Sequence, residues 1–164
     1  MKFLGIDGGG TKTEFLMIDE SGEILGHAIM PTCHYKQTSL DNFRNVIQNG
    51  INTISTQANI DISQIDYTFV GIPGYGEIAE DVKILDSIVE DILSSKNYSN
   101  GNDSEVAWAG SLACQPGINI VAGTGAIGFG VDSKGNTARS SGWGHFCGDE
   151  GSAYWLGRKV IELF

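Results

Sequence analysis

The sequence predicts an α/β protein: a mixed five-stranded sheet with flanking helices, followed by the start of a second domain of the same kind. Three observations predict this. Short apolar runs of strand length alternate with longer stretches whose apolar residues recur every three or four positions, as on one face of a helix. The opening segment, MKFLGIDGGGTKTEFLMIDESGEIL, places three strand-like runs in succession with only turn chemistry between them. The segment VAGTGAIGFGVDSKGNTA repeats that plan at a constant offset of 113 residues, matching Gly10 with Gly123, Thr11 with Thr124, Asp19 with Asp132 and Gly22 with Gly135.

The elements follow in order. Residues 3–6 and 15–18 are apolar runs, 19–22 (Asp-Glu-Ser-Gly) is a turn, and 23–30 resumes a strand, so three consecutive antiparallel strands open the chain. Residues 31–38 read as a loop. From Leu40, the apolar residues Phe43, Val46, Ile47, Ile51 and Ile54 line one face of an amphipathic helix. Residues 67–72 are a strand and 73–76 (Pro-Gly-Tyr-Gly) a loop. Ile78, Val82, Leu85, Val89, Ile92 and Leu93 mark a second helix. A short strand at 98–103 precedes an alanine-rich helix at 105–114. Strands return at 118–122 and 127–131, then a turn at 132–136 and a glycine-rich loop to Asp149, although the repeat asks for a strand after that turn. A last helix occupies 151–164. The expected domains are residues 1–115 and 116–164, the second incomplete in this chain.

Composition narrows the function classes. A chain of 164 residues with 41% hydrophobic content can build a core without disulfides. The formal net charge of −10 argues against a basic nucleic-acid footprint and against docking on anionic membrane. No apolar run approaches the ~18 residues of a membrane span. Cys33, Cys114 and Cys147 are odd in number and far apart, which fits a reducing, cytoplasmic compartment better than a disulfide framework.

The candidate chemistry lies in Asp7-Gly8-Gly9-Gly10-Thr11. Glycine lets the backbone approach a ligand, and successive free N–H groups form a concavity for anions. A carboxylate there would repel bare phosphate, so Asp7 makes sense with Mg²⁺ between, held by carboxylate, phosphate oxygens and water. A tight hairpin is the plainer explanation, but three successive glycines exceed what a hairpin needs. No Gly-x-x-x-x-Gly-Lys-[Ser/Thr] loop occurs. The run Gly123-Thr124-Gly125-Ala126-Ile127-Gly128 has dinucleotide-loop spacing, yet strand rather than helix follows it. Gly74-Tyr75-Gly76 lies between strand and helix and mimics that motif better, but its helix continues through Glu90 and Asp91, where the motif wants a ribose-binding acid at the end of a second strand; NAD binding stands as a rival reading.

At this point DGGGTKTE, the GND of residues 101–103, AGTGAIGFG and GWGHFCGDEGSAYW (142–155) resemble the N-acetylglucosamine kinases and their relatives in the BadF/BadG/BcrA/BcrD ATPase family, of the actin, hexokinase and Hsp70 type. The resemblance spans nearly the whole chain and about the first half of such a kinase. It implies two ribonuclease H-like domains facing across a cleft, with ATP and Mg²⁺ as cofactors and a small sugar as substrate. Asp7 would hold Mg²⁺ through water. Gly8, Gly9, Gly10, Thr11, Lys12 and Thr13 would cradle phosphate, with Gly123, Thr124 and Gly125 as a second phosphate loop bordering the sugar. Asp103 sits where the family places its catalytic base. Cys33 or His34, Gly74, Tyr75, Thr124, His145 and Asp149 would meet the sugar. The implied reaction moves the γ-phosphoryl of ATP to the 6-hydroxyl of N-acetylglucosamine or a related hexose. A homodimer is left open, and the 164-residue piece alone is expected to bind ATP weakly without sugar-stimulated turnover.

This sequence departs from the family at Cys33-His34, where an Asn sugar ligand is common, and at Ala126, where Ser follows Gly-Thr-Gly. Those departures keep open a non-catalytic sensor on the same fold. An activator ATPase of 2-hydroxyacyl-CoA dehydratases is a further alternative, although Cys114 and Cys147 lack an iron–sulfur setting. Plainer roles also stand beside the functional ones. Asp103 could cap the helix after it. Asp149 and Glu150 suit a first helical turn. His27 reads as structural, and Lys12 as either a phosphate ligand or a solvated side chain. Cys33, His34, His145 and Cys147 have no recognised zinc spacing. Trp143, Tyr154 and Trp155 are expected in the core.

Overall fold

The computed structural model describes residues 1–94 and 97–164, and the chain divides into two compact units, Met1–Asp103 and Ser104–Phe164. Among the described residues no helix is long and apolar enough to cross a membrane.

The first unit contains β1 (Lys2–Gly8), β2 (Lys12–Asp19), β3 (Ile24–Pro31), α1 (Leu40–Ala58), β4 (Tyr67–Ile72), α2 (Ala79–Leu93) and β5 (Tyr98–Asn102). The sheet order is β3-β2-β1-β4-β5. The three opening strands pair antiparallel, as expected, while β4 and β5 run parallel to β1. Each parallel step is made by a helical crossover, since parallel neighbours cannot be joined by a hairpin. Alternation decides which side chains go inward: Leu4 and Ile6, Phe15 and Met17, and Val70 and Ile72 are all buried. They meet Phe43, Ile47, Ile51 and Ile54 of α1 and Leu85 and Val89 of α2 in one core. Each fully buried aliphatic side chain contributes about 1.5–3 kcal/mol.

Local chemistry sets the helix ends. Ser39 caps α1, its side chain accepting from Asn42 N at 3.0 Å, and Asn59 ends the helix in the left-handed region. Within α1, Gly50 lies against the buried Phe15 ring, so tightly that an added methyl would overlap it. Gly50→Ala is therefore expected to destabilise by about 1–3 kcal/mol despite alanine's better helix propensity. Urea unfolding checks this; a gain in stability would contradict the packing argument.

The second unit holds most of α3 (Asp103–Leu112), then β6 (Gly117–Ala122), β7 (Ala126–Val131), β8 (Thr137–Ser141) and α4 (Ala153–Glu162). Strands β6, β7 and β8 form an antiparallel sheet in that order. The loop expected to run unbroken to Asp149 thus contains β8, the strand required by the repeat. Ser152 caps α4, accepting from Trp155 N at 3.1 Å.

The repeat extends to individual hydrogen bonds. Asp19 Oδ1 accepts from the amides of Ser21 and Glu23 at 2.8 and 3.0 Å, and Gly22 N donates to Asp19 O at 3.0 Å. In the second copy, Asp132 Oδ1 accepts from Lys134 N and Asn136 N at 2.7 and 2.9 Å, and Gly135 N donates to Asp132 O at 3.1 Å. Gly22 and Gly135 have φ of +85° and +82°, a conformation in which glycine carries no Cβ penalty. One sequence expectation fails here. Trp143 and Tyr154 are 64% and 46% exposed, and Trp155 is only half-buried, so the trio is not core. The helical spacing of Tyr154 and Trp155 did not reveal how little of this unit covers them, and Trp143 lies in the loop before the helix.

Candidate functional site

The site grows from the carboxyl ends of the three parallel strands, the place where open α/β sheets bind ligands. Asp7 of β1 is in register with Gly71 of β4, and Gly71 with Gly101 of β5. With strands about 4.8 Å apart, the Asp7 and Gly101 backbones stand roughly 10 Å from each other. Asp103 follows two residues beyond Gly101, as the first residue of α3. The structure therefore brings Asp7 and Asp103 to one edge of one sheet.

The β1–β2 connection is a two-residue tip. Gly9 N donates to Lys12 O at 2.8 Å, leaving Gly10 and Thr11 at the end. Neither Gly9 nor Gly10 has positive φ, so the turn itself does not demand glycine at these positions. A Cβ on Gly10 would meet only Gln37 Nε2 at 3.4 Å. Backbone strain and crowding thus leave Gly10 unexplained, and the position is open to close approach from outside. Among the described residues the Gly10 and Thr11 amides have no protein partner, while that of Gly9 is taken. Thr32, which sequence reasoning passed over, steadies this tip: its hydroxyl donates to Gly9 O at 2.7 Å and accepts from His34 N at 3.0 Å. A threonine beside a glycine loop carries no motif that could have announced it.

Two expected ligand contacts are corrected. Thr13 is fully buried, its hydroxyl donating to Pro31 O and accepting from Cys33 N, both at 2.9 Å. It joins β2 to the next loop and presents nothing to phosphate. Cys33 is likewise fully buried in the core and cannot be a sugar contact. Burial raises its thiol pKa, and the charges of Asp103 and Asp7 add to the rise, so the thiol lies within electrostatic reach of both carboxylates. Gly8 is buried as well, beside that thiol.

Asp7 remains accessible, yet the protein around it desolvates its carboxylate and raises its pKa; Glu14 adds to the rise and Lys12 opposes it. Lys12 Nζ is paired with Glu14 at 2.6 Å, and Glu14 also meets His27 Nε2 at 2.8 Å. Among the described residues no three His, Cys, Asp or Glu side chains converge as a metal-ligand set. One desolvated carboxylate beside unengaged amides nevertheless suits Mg²⁺, which keeps waters and borrows its other ligands from phosphate.

The loops after β3 and β4 flank the same edge. Lys36 and Glu77 form an ion pair at 3.0 Å beside Gly74, whose φ is +78°. Tyr35 OH donates to Asp81 of α2 at 2.9 Å, and Tyr75 OH to Asp86 of the same helix at 2.8 Å. His34 has a buried Nδ1 without a hydrogen-bond partner. Desolvation lowers its pKa from the ordinary 6.5, and Lys36 lowers it further. A depressed folded-state value means stability present above about pH 6.5 and lost as acid carries pH down through the folded pKa. His34→Gln is expected to flatten that loss; urea midpoints at about pH 7.5 and 5 measure it, and equal pH slopes in both proteins would refute it.

In the second unit, Gly123 N donates to Gly125 O at 2.9 Å, and Gly123 O accepts from Ala153 N at 2.9 Å, tying the loop to α4. Thr124 is exposed at the tip. Asp149 closes over this loop: a Cβ on Gly125 would come within 2.9 Å of its Oδ2. Asp149 is buried at φ +63°, its amide donating to Ser141 Oγ at 2.9 Å. Its position is therefore built, and Asp149 and Gly125 belong to one cluster. His145 is exposed, its ring 4.7 Å from that of Tyr154 and 4.2 Å from that of Phe146.

Comparison with known proteins follows the same line. The family model of the BadF/BadG/BcrA/BcrD ATPases matches residues 4–164. The chain is 32% identical, over 99% of its length, to an N-acetylmuramic acid/N-acetylglucosamine kinase of Clostridium acetobutylicum. It is 32% identical, over 98% of its length, to an N-acetyl-D-glucosamine kinase of Dictyostelium discoideum. It spans 53% of each, about half the length of these curated relatives. A candidate N-acetylglucosamine kinase structure from Chromobacterium violaceum superimposes with a TM-score of 0.78 at 24% identity, over 99% of this chain and 56% of that one. The fold is accordingly the ribonuclease H-like, actin-type ATPase fold.

Proposed function

Because the chain belongs to the BadF/BadG/BcrA/BcrD ATPase family, we propose that it forms part of an ATP-dependent kinase that phosphorylates the 6-hydroxyl of N-acetylglucosamine or a related hexose. The observation that carries this reading is the Gly10–Thr11 tip, with unengaged amides, beside a desolvated Asp7 on the sheet edge that ends in Asp103. The similarity to an N-acetylmuramic acid/N-acetylglucosamine kinase and an N-acetyl-D-glucosamine kinase supports it.

Each residue has a role in this reading. The Gly10 and Thr11 amides and the Thr11 hydroxyl bind phosphate oxygens, and Lys12 exchanges Glu14 for phosphate. Gly123, Thr124 and Gly125 supply the second loop. Asp7 would hold Mg²⁺ through water, and the ion would supply charge neutralisation at the phosphates. His34, Gly74, Tyr75, His145 and Asp149 are the proposed sugar ligands. Asp103 takes the proton of the 6-hydroxyl as that oxygen bonds to the γ-phosphorus; the bond to the bridging oxygen breaks and ADP leaves. Most of the catalysis is orientation and charge stabilisation. The domain division at residues 1–115 and 116–164 and a cytoplasmic location belong to the same proposal, the latter supported by three unpaired cysteines.

Coupled ADP release by the full-length protein across a sugar panel tests the reading. Stimulation by N-acetylglucosamine, with product phosphorylated at the 6-position, is expected. ATP turnover indifferent to every sugar would overturn it, and bound iron would point to a dehydratase activator instead.

A further inference from the structure

One carboxylate outside the described constellation ties together the two segments that flank it. Asp86, in the middle of α2, accepts two hydrogen bonds at a single oxygen: from Tyr75 OH at 2.8 Å and from Asn100 Nδ2 at 2.8 Å. Tyr75 lies in the 73–76 turn that leaves β4. Asn100 lies on β5, three residues before Asp103. The ring of bonds is completed by Asn102, whose Nδ2 donates to Tyr75 O at 3.1 Å. Asn100 and Asn102 are two apart on a strand and share a face, which lets both reach this network.

The chemistry argues for more than packing. Hydrogen bonds to an ionised acceptor are shorter and stronger than neutral ones, and this acceptor receives two. Asn100 keeps its bond to Asp86 although its own Oδ1 is buried without a partner among the described residues. A buried unsatisfied acceptor is uncommon in a native protein and is tolerated where the geometry serves a purpose. Here the geometry fixes the turn after β4 and the end of β5 to the same point on α2. Asp103 follows directly on from Asn102.

We propose that Asp86 is a positioning residue for the transfer reaction, holding the 73–76 turn and the end of β5 so that Asp103 meets the sugar hydroxyl. The inference rests on the kinase reading above. Misplacing a reacting group by about 1 Å can cost on the order of 100-fold in rate, so loss of the tie is felt in kcat more than in substrate binding.

The test uses the full-length protein. Asp86→Ala should lower kcat at least about tenfold while the KM values for sugar and ATP stay within about threefold. Asp86→Asn should restore most of the rate, because an amide oxygen still accepts from both donors. Hydrogen exchange should quicken in residues 73–76 and 98–103 of Asp86→Ala and stay unchanged in α1. If Asp86→Ala does not fold, Asn100→Ala, which removes the other donor at a residue with no proposed ligand role, decides the matter: a kcat loss of at least about threefold supports the inference and a smaller one overturns it. Asp86→Ala with kcat within about twofold of wild type overturns the inference, even if its melting temperature falls, since the tie would then be merely stabilising. Unchanged exchange in both segments overturns it too. A wild-type protein without sugar-stimulated turnover removes the kinase reading and this inference with it, whereas an active wild type beside an unaltered Asp86→Ala removes this inference alone.

Discussion

Asp103→Asn in the full-length protein is expected to lower kcat by about 10²–10⁴-fold while leaving nucleotide affinity within about twofold. The size follows from what is removed. Asparagine has nearly the shape of aspartate but cannot take a proton from an attacking hydroxyl. The change is mild structurally, because Asp103 opens α3 and both residues are compatible with the start of a helix. Asp7, the Gly10–Thr11 tip and the second glycine–threonine loop are all untouched, so ATP retains its proposed ligands. Coupled ADP release measures kcat, and calorimetric titration with a non-hydrolysable ATP analogue measures binding. Turnover within tenfold of wild type would remove Asp103 as the base.

Gly8→Ala is expected to cost about 1–3 kcal/mol of stability, the range for forcing a methyl into a packed core. An added Cβ would stand 2.6 Å from Cys33 Sγ, 2.6 Å from Gly71 O and 2.8 Å from Pro73 Cδ. Two of these neighbours are backbone or ring atoms on β4 and the turn after it, so relief requires the parallel β1–β4 pair to part. The damage would spread to the Asp7 edge of the sheet, and ATP affinity should fall along with stability. Adding Cys33→Ala should return only part of the loss, because Gly71 O and Pro73 remain. Urea unfolding of the single and double variants measures this, and a Gly8→Ala cost below about 0.5 kcal/mol would refute the crowding argument.

These outcomes bear on how far the fold and site could be read from the amino acids. The Gly8 position illustrates the boundary. Three glycines in a row beside a carboxylate read as one phosphate loop, yet their reasons differ. Gly8 is small because a cysteine from the loop after β3 and a carbonyl from β4 press on it, while Gly10 is small with nothing nearby to require it. Thr13 and Cys33 show the same divergence: each carries a plausible ligand atom, but the Thr13 hydroxyl bonds within the protein and the Cys33 thiol is buried in the core. Asp86 and Thr32 show the reverse, since neither belongs to a motif and both fix segments that do.

Elements and local turns were legible from the chain alone. The period-two apolar runs, the helical faces of α1 and α2, and the two Asp-x-x-Gly turns depend on residues a few positions apart, whose geometry is set by short-range sterics and hydrogen bonding. The residue types of the Asp7–Thr11 loop likewise raised the expectation of phosphate and a cation, which the proposed function carries forward. Tertiary structure alone decided which of those side chains face outward, that Asp7 and Asp103 share a sheet edge, and that Asp149 lies over Gly125. The physical reason is that burial and close contact are properties of pairs. Whether a hydroxyl, a thiol or a missing methyl serves a ligand or the core depends on what a segment tens of residues away brings against it.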